Sequence, residues 1–598
     1  MPLWGTEMKM ELYQFLEANL QALEEKKSPV VPWLRGQDFD LISLENQLVV
    51  NRFGLVDLPL NENLSMFANV PPQAYYSRWT APEPATKSAT VIVGCNLGYG
   101  LNHLLTTLPP LHPVAVLEPR PELLAACLAM TDYTGFIKQG RLTFIPPHPE
   151  ALHQALCAFD LQFIYGAVKF RSDIPSRQLG PEYARWSETA QKTMENIAME
   201  LTTLRRMQDT MVGNEIGNFR QAFANGSVTG LADSAKGLTG VILGAGPSLA
   251  EFGPQIAANP GGALYATALQ TLPAVHAQGI KPHMCMVIDY SPGVKNVFKR
   301  LDMEWAKDIP LIYSTKVRPD VIEMYPGPTI PMWTIGGLAT YIMRDLEYVM
   351  DAGGNVSVAL MRFFERCGIS RMLLVGQDFA WKGEHSHVKG HHAQPTKRAF
   401  DPVRHVKLKN MHGEEIISAM SYVTAQRDMQ VDCKRMDIPV YNLYGGGLEI
   451  EGSTVVTLDD ITRGDLLASK DGALERFGLA MGRAQSPRTR PTFEPRLGAW
   501  TSSLKSAQKR LHKMFKKSAK KQGEIRGMLG HVLMFLKQDP LYTPYIYNEF
   551  MDIAAMSKLG GTHGMKEFTK IKNIFARVLE KVKEIDEAMS KQAGEKAA

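Results

Sequence analysis

The sequence lacks several features that would assign the chain to a specialised class of protein. It has no run of about 18 apolar residues and no basic N-terminal segment followed by an apolar one, so we expect a cytoplasmic protein without a transmembrane segment. Its six cysteines are scattered and include no Cys-x-x-Cys pair. This spacing argues against a zinc or dithiol site and predicts reduced, mostly buried thiols.

Excess charge is also scarce, except towards the C-terminus. The whole chain carries 66 basic and 61 acidic residues, a net charge of +5. Residues 498–598 hold 19 basic and 10 acidic residues, a net of +9, so the preceding 497 residues sum to −4. A basic segment can attract an acidic protein, a membrane surface or nucleic acid, and charge alone does not separate these partners from a solvated helix face.

The length of 598 residues exceeds what one hydrophobic core supports, so several domains are expected. We predict an N-terminal α/β domain over 1–205, a central domain over 206–460 and a basic α-helical domain over 461–598. In the central segment, short apolar runs alternate with helical patterns, which indicates a Rossmann-like parallel sheet covered on both faces. These runs lie at 263–269, 283–289, 310–314 and 371–378.

The N-terminal segment has its own strand, glycine turn and helix. An amphipathic helix is predicted over 9–25, alternating segments such as 40–50 follow, and a long helix is predicted over 181–224. Between them, Gly94, Gly98 and Gly100 follow an apolar run, and Glu118 closes the next one. The pattern is similar to the nucleoside-binding turn of methyltransferase-like domains, but any tight strand-to-helix turn also favours glycine.

A second glycine turn, V-I-L-G-A-G-P-S-L over 241–249, opens the central segment. A dinucleotide fingerprint needs a third glycine where Leu249 stands, so the turn is not a match to that fingerprint. Gly244 and Gly246 would allow backbone N–H groups to meet an anion, while Pro247 and Ser248 suit the start of a helix. A merely capped strand-to-helix turn is the alternative.

Polar residues follow the other predicted strands of the central segment. Thr267, Asp289 and Ser314 end three runs, and Gln377 and Asp378 end a fourth. Because parallel sheets bind ligands outside the carboxyl ends of their strands, we expect these residues and the glycine turn to line one crevice.

Several motifs occur in a fixed order over about 241–455: G-A-G-P-S-L, Y-A-T-A-L, G-I-K-P-H, D-Y-S-P, G-G-N-V-S-V-A, V-G-Q-D-F-A and S-H-V-K-G. Together they resemble the motility-associated factor (Maf) family of flagellin glycosyltransferases. The turn also resembles that of bacterial sialyltransferases that use CMP-sialic acid without a metal. The resemblance implies transfer of a nonulosonic acid, pseudaminic or legionaminic, from its CMP-activated form to Ser or Thr of flagellin, for flagellum assembly and motility.

The resemblance also implies a set of donor-binding residues in this chain. They are Gly244, Ala245, Gly246, Pro247, Ser248, Thr267, Ala268, Asp289, Ser314, Gly354, Asn355, Ser357 and Gln377. Two positions depart from the family pattern, because His283 stands where an Asp is common and Tyr444 stands in an acidic position. The resemblance therefore assigns no role to His283 or Tyr444.

Transfer to a hydroxyl needs a general base, and the loop after Asp378 is rich in histidine. Histidines stand at 385, 387, 391 and 392. His387 aligns best with a T-H-A-like position of the family and is the preferred base, with Asp378 as the rival. Metal binding and a solvated loop are the other interpretations of the histidines. The one Asp-x-Asp, at Asp38 and Asp40, lies far from the glycine turn, so we expect metal-independent chemistry and no cofactor besides the donor.

Three functions follow from these observations. The first is a flagellin glycosyltransferase with a CMP-nonulosonic acid donor and no nucleic-acid partner. The second is a small-molecule enzyme like the archaeal hydroxymethyl-dihydropterin diphosphokinases, whose glycine turn handles ATP. The third is a non-enzymatic flagellin-binding protein.

Overall fold

The structure, a computed structural model, describes residues 15–61, 64–65, 67–391 and 400–590. Contacts divide the chain into two compact units. The first contains residues up to 207, Ser503–Leu536 and Asn548–Phe575, and the second contains Gln208–Ser502, Lys537–Tyr547 and residues from 576 onwards. The C-terminal helices are therefore divided between the two units, and the three predicted domains stay a prediction.

The first unit is built on a four-stranded parallel sheet. Its strands pair in the order β7-β6-β5-β8, and the other four short strands form two antiparallel pairs, β1 with β2 and β3 with β4. The strands are β1 Val49–Val50, β2 Val56–Asp57, β3 Pro59–Asn61, β4 Leu64–Ser65, β5 Ala89–Val93, β6 Val114–Leu117, β7 Leu142–Ile145 and β8 Val168–Ser172.

Helices cover both faces of this sheet, because its strands are apolar on both sides. Up to residue 207 they are Leu16–Glu25, Val30–Arg35, Leu41–Gln47, Pro72–Tyr75, Tyr99–Thr107, Pro121–Met130, Thr134–Lys138, Pro149–Cys157, Asp160–Tyr165, Ile174–Arg177 and the first part of Glu182–Ala224.

The second unit contains a nine-stranded sheet in which every pairing is parallel. The order is β14-β13-β12-β11-β10-β9-β15-β18-β19. The strands are β9 Thr239–Leu243, β10 Leu264–Ala268, β11 Met284–Val287, β12 Leu311–Ser314, β13 Thr329–Thr334, β14 Val349–Met350, β15 Arg371–Val375, β18 Val440–Leu443 and β19 Thr454–Val456. The chain leaves β9 towards β14 and then returns to β15 on the other side of β9.

Successive side chains of each strand enter opposite cores, as a pleated strand requires. In β9, Ile242 packs with Phe364 on one face, whereas Val241 and Leu243 pack with Phe252 on the other. The covering helices are Leu249–Ala258, Leu272–Ala277, Met303–Ala306, Pro319–Met324, Val356–Cys367, Met420–Arg435, Leu458–Arg463 and Ala473–Ala484, with a π-helix at Ala339–Met343. An antiparallel hairpin, β16 His405–Lys409 with β17 Glu415–Ala419, lies outside the sheet.

The described part of the C-terminal region is helical from Leu497 to Met589, as predicted for the basic domain over 461–598. Its helices are Leu497–Phe515, Gln522–Lys537, Tyr547–Lys558 and Met565–Met589. Among the described residues, no helix is both long enough and apolar enough to cross a membrane.

The predicted α/β class, with its large parallel sheet and helical C-terminal region, is confirmed. All four apolar runs are strands, and the long helix predicted over 181–224 is Glu182–Ala224. The helix predicted over 9–25 is present from Leu16, and residues before 15 lie outside the described part. The prediction of an alternating, strand-like segment over 40–50 is wrong in its first half, because Leu41–Gln47 is a helix. Asp40 caps this helix by accepting from the amide of Ile42 at 2.9 Å.

Candidate functional site

The glycine turn of the first unit is filled by the protein's own side chains. A Cβ on Gly98 would lie 2.6 Å from the Tyr133 hydroxyl, and one on Gly100 would lie 2.8 Å from Tyr76 and 2.9 Å from Trp79. These glycines therefore make room for aromatic packing, and this packing alone is enough to require them.

Glu118, the acid that closes the next strand after this turn, also has both carboxylate oxygens engaged. Glu118 is buried, and it accepts from the Tyr183 hydroxyl at 2.5 Å and from the amide of Cys95 at 2.7 Å. Burial raises the pKa of Glu118 to about 7. With both oxygens engaged and no exposed surface, Glu118 serves the core of the unit in this conformation.

In the second unit, the glycine turn lies at the switch point of the sheet. The turn over 244–248 follows β9, and Gly376, Gln377 and Asp378 follow the neighbouring strand β15. The chain departs in opposite directions from these two strands, and open parallel sheets bind ligands in the crevice at that point. The location agrees with the prediction from the sequence.

Three turns at this edge interlock, because glycines let their backbones approach closely. A Cβ on Gly246 would overlap Asp378 and lie 2.6 Å from the carbonyl of Gly376. After β18, Gly445 has no room for a Cβ beside Ser248, and Gly447 has none beside the backbone of Asp378. Packing between the turns is thus sufficient to require these glycines.

Most of the amides expected to meet an anion donate within the protein. The amide of Gly244 donates to the carbonyl of Val375 at 2.7 Å, and that of Gly246 donates to Gly376 at 2.9 Å. The amide of Ser248 donates to Asp378 at 2.8 Å. In this structure, those three groups hold the turn in place and are engaged, contrary to the expected anion-binding role.

Asp378 is the centre of this packing. It is buried, and its second oxygen accepts from the Ser248 hydroxyl at 2.7 Å, so the carboxylate caps the helix that begins at Leu249. Burial raises the pKa of Asp378 to about 6, although the bonds from Ser248 oppose the shift. A carboxylate with both oxygens engaged by its own fold is poorly placed to take a substrate proton.

Gln377 differs from Asp378, because its side-chain amide has an unpaired hydrogen-bond donor. Gln377 is buried, and among the described residues its Nε2 has no hydrogen-bond partner. The atom lies over the glycine turn, 2.6 Å from where a Cβ on Gly244 would stand. Buried donors are rarely left unpaired, so this one is a candidate contact for a ligand at the switch point.

The remaining predicted strand-end residues are brought to the same edge of the sheet. Thr267 is buried and donates to the carbonyl of Leu243 at 2.7 Å, and Ala268 beside it is half-buried. Asp289 is half-buried and accepts from the amide of Ser291 at 2.8 Å. Ser314 is buried against Thr334, with 3.0 Å between the two hydroxyl oxygens.

The edge is long relative to a phosphate group. Neighbouring strands are about 4.8 Å apart, so Ser314 on β12 lies on the order of 19 Å from the end of β15. One phosphate cannot reach both positions, whereas an extended nucleotide sugar can lie along several strand ends.

The predicted Gly354, Asn355 and Ser357 form a helix start. Asn355 caps the helix Val356–Cys367 by accepting from the amide of Ser357 at 2.7 Å, and Gly354 is exposed. This helix packs antiparallel to the central strands, because Phe364 near its end lies against Gly240 at the start of β9. Its beginning therefore lies at the carboxyl edge of the sheet.

The histidine loop is attached to the glycine turn. The amide of Val388 donates to the carbonyl of Ala245 at 3.0 Å, and Gly390 leaves no room for a Cβ against Ala274. His387 is half-buried next to that bond. The loop therefore lies against the glycine turn, a contact that the sequence did not predict, and His392 lies outside the described residues.

The imidazole of His387 is held from three sides. Its Nδ1 lies 2.9 Å from the Ser386 hydroxyl, and its Nε2 lies 3.4 Å from the Tyr422 hydroxyl. The ring stacks on that of His391, with centroids 4.2 Å apart and planes 5° apart. A held imidazole at the site edge can accept a proton from a hydroxyl group.

Two charged residues at this edge were not predicted from the sequence. Lys316, after β12, is buried and donates to the carbonyls of Thr334 at 3.2 Å and Ile335. Glu215, on the helix Glu182–Ala224, is buried and accepts from the amide of Leu338 at 2.6 Å. Burial raises the pKa of Glu215 to about 7 and lowers the pKa of Lys316, while each opposes the other's shift.

The described part of the chain contains no group of three or more His, Cys, Asp or Glu side chains arranged to hold a metal ion. Asp40 of the Asp-x-Asp sequence is a helix cap in the first unit. The two departures from the family pattern also have structural roles. His283 accepts from the amide of Tyr265 at 3.0 Å, and the Tyr444 hydroxyl donates to the carbonyl of Gly447 at 2.9 Å.

Comparison with known proteins gives two findings. Residues 213–384 match the family described as MptE-like, 6-hydroxymethylpterin diphosphokinase. The chain is similar in fold to the Maf glycosyltransferase from Magnetospirillum magneticum AMB-1, with a TM-score of 0.63, 17% identity and 96% of each chain covered. Comparison with curated protein sequences finds no significant match. The chain thus shares a fold with a Maf glycosyltransferase over nearly its whole length.

Proposed function

We propose that this chain is a glycosyltransferase that moves a nonulosonic acid from a CMP-activated donor to Ser or Thr of flagellin. The observation that carries the proposal is the fold similarity to a Maf glycosyltransferase over 96% of both chains. It extends beyond the central sheet, so the parts that would hold a protein acceptor are also similar. The CMP donor and the flagellin acceptor rest on the sequence motifs over 241–455.

The donor would lie along the carboxyl edge of the sheet, across the switch point. Gln377 Nε2 is an unpaired donor there, and Asp289 and the capped start of the helix at Asn355 flank the edge. Lys316 adds positive charge near the end of β12, where the carboxylate of a sugar acid would be stabilised. The two ends of an extended donor would then be held by different strands.

His387 is the proposed general base. In the transfer, His387 takes the proton of the acceptor hydroxyl, the acceptor oxygen forms the new bond to the sugar, and the bond from the sugar to the phosphate breaks to release CMP. Tyr422 and Ser386 would hold the imidazole orientation. Asp378 is the weaker candidate, because it is buried and both of its oxygens accept from Ser248 at 2.7–2.8 Å. His387 is half-buried, and the contact of its Nε2 with Tyr422 is longer, at 3.4 Å.

The proposal is tested by incubating the purified chain with flagellin and a CMP-nonulosonic acid, followed by intact-mass spectrometry of the flagellin. We expect a mass gain of whole sugar residues, also in the presence of a chelator. His387→Ala should lower the rate by about 100-fold or more, the usual contribution of a general base. Lys389→Ala, an exposed change in the same loop, should leave the rate unchanged. A strict need for a divalent metal, or no transfer from a CMP donor, contradicts the proposal.

A second candidate is a pterin diphosphokinase, favoured by the MptE-like match over residues 213–384. The two functions differ in nucleotide, since a diphosphokinase handles ATP with magnesium to neutralise the triphosphate. Thermal stabilisation by CMP and none by ATP with magnesium would favour the glycosyltransferase. The reverse result would favour the kinase.

A further inference from the structure

A cluster of positive charge lies on the surface of the first unit, on a segment that contributes no residue to the site described above. Between positions 501 and 523 the sequence has eight Lys or Arg residues and no Asp or Glu. Seven of the eight are exposed, and we call them the cationic face. They are Lys505, Lys509, Arg510, Lys513, Lys516, Lys517 and Lys520.

Helix geometry separates the cationic face from the buried side of the same helix. At about 100° per residue, the cations from 505 to 513 fall within an arc of about 140°. Leu504, Leu511 and Phe515 are buried and point the opposite way. The apolar side is therefore already used in packing, and the cations project outwards.

Among the described residues, none of the seven cations forms an ion pair with an acid. The eighth basic residue, Lys521, pairs with Glu524 at 2.7 Å. The helix Met565–Met589 is a contrast within the protein, because it interleaves basic residues with acids such as Glu567 and Glu580. An unneutralised row of cations produces a positive potential that extends about 10 Å at moderate salt.

The composition of the face indicates the kind of partner. Protein interfaces favour Arg, Tyr and Trp and are depleted in Lys, whereas six of these seven cations are Lys. Single-stranded nucleic acid needs aromatic stacking platforms, and no large exposed hydrophobic residue lies between 497 and 521. Clusters of four to eight lysines on a helix instead suit a diffuse layer of anionic lipid headgroups.

We propose that the cationic face binds the surface of a membrane rich in anionic lipids, reversibly and through charge alone. Nothing on this face is available for insertion into the lipid, so binding depends on the number of cations and on salt. Each cation near such a surface raises the partition coefficient of the protein onto the membrane about fivefold, which is equivalent to about 1 kcal/mol. The proposal is independent of the glycosyltransferase function.

The test is co-sedimentation of the full chain with phosphatidylcholine vesicles, with and without phosphatidylglycerol. We expect binding only to the vesicles with phosphatidylglycerol at about 0.1 M salt, and loss of binding at about 1 M salt. The variant Lys509→Gln/Lys513→Gln/Lys516→Gln should have a partition coefficient onto these vesicles about 100-fold lower than that of the wild type. The matched control is Lys566→Gln/Lys570→Gln/Lys572→Gln, which removes the same charge from exposed positions of the helix Met565–Met589. This variant should bind like the wild type.

All six lysines are exposed, so both variants should unfold at the temperature of the wild type, which calorimetry checks. Failure of the wild type to sediment with phosphatidylglycerol vesicles overturns the proposal. Equal loss in the two variants overturns the assignment to this face. Binding to duplex DNA or to polyglutamate without vesicle binding would identify another polyanion as the partner, and it also overturns the proposal.

Discussion

At the scale of single residues, the buried carboxylates explain most of what holds the turns in place. Asp378 joins two strand ends by accepting both polar hydrogens of Ser248, and Glu118 does the same for its own turn with Tyr183 and Cys95. In both cases the sequence pattern suggests ligand binding, whereas in the structure the carboxylate accepts hydrogen bonds from groups of the protein itself. A sequence shows which strand an acid follows, but not whether its oxygens are already occupied.

Substitution of Asp378 should separate its structural role from catalysis. Asp378→Ala leaves the buried amide and hydroxyl of Ser248 without an acceptor, so we expect a loss of about 1–3 kcal/mol in the free energy of unfolding. In Asp378→Asn, the side-chain oxygen still accepts from the amide of Ser248, and the NH2 group donates to the Ser248 hydroxyl oxygen. The free energy of unfolding from denaturant titration should therefore be close to that of the wild type. If Asp378→Asn is stable but transfers no sugar, Asp378 and not His387 is the base.

Glu118 should make the stability of the first unit depend on pH. Its pKa is about 7 when folded and 4.5 in the reference state, so the folded protein binds more protons between these values. Stability from this group is therefore present at low pH and lost as pH rises through 7, by up to about 3 kcal/mol.

Glu118→Gln removes the titration and keeps a neutral acceptor for the amide of Cys95. The unfolding temperature of the wild type relative to this variant should fall between pH 5 and pH 8, as measured by scanning calorimetry. An unchanged difference across that range would mean that Glu118 titrates alike in the folded and unfolded chain.

At the scale of elements, the interlocked turns dominate the site. Gly246→Ala places a Cβ against Asp378 and the carbonyl of Gly376, so we expect a loss of about 1–3 kcal/mol and weaker donor binding. Gly478, in the helix Ala473–Ala484, has nothing within 4 Å of an added Cβ. Gly478→Ala should instead stabilise the chain by about 0.5–1 kcal/mol, and equal effects of the two changes in urea unfolding would refute the packing account.

Elements buried on both faces were predictable from the sequence, because their apolar runs are continuous. β10, β11, β12 and β15 were found in this way. β14 has two residues and β13 contains Pro331, so neither produces a clear run. In the site, the motifs indicated the turns after β9 and β15, but not that Gly445 and Gly447, about 200 residues after Ser248, fill the space beside them.

Lys316 and Glu215 could not be found from sequence spacing alone. Glu215 lies on a long helix with many charged residues, and nothing local shows that this one faces the inside. Its burial depends on how the helix packs beside the ends of β12 and β13. Tertiary packing, not periodicity, selects such residues.

At the scale of the whole molecule, C-terminal segments complete both units. In the first, Arg205 pairs with Asp552 at 2.5 Å and the amide of Gly560 donates to the carbonyl of Thr86 at 3.0 Å. In the second, Lys581 pairs with Asp209 at 2.9 Å and the amide of Phe493 donates to Met589 at 3.1 Å.

Truncation after residue 460 should therefore destabilise both units, although the motifs of the proposed site all lie before that point. We expect the shortened chain to aggregate or to lose its cooperative thermal transition by circular dichroism, because apolar surface of each unit is exposed to water. A soluble truncated chain that unfolds at the wild-type temperature would show that the central segment folds alone.

The mutual packing of the three glycine turns has a consequence for protein engineering. Each turn limits the side chains that the other two can accept, so substitutions at Gly246, Gly445 and Gly447 will show strong epistasis. Libraries that vary one turn at a time will recover few folded variants. The exposed Ile335 and Tyr341, beside the end of β13, belong to none of these turns and should tolerate a wider range of side chains.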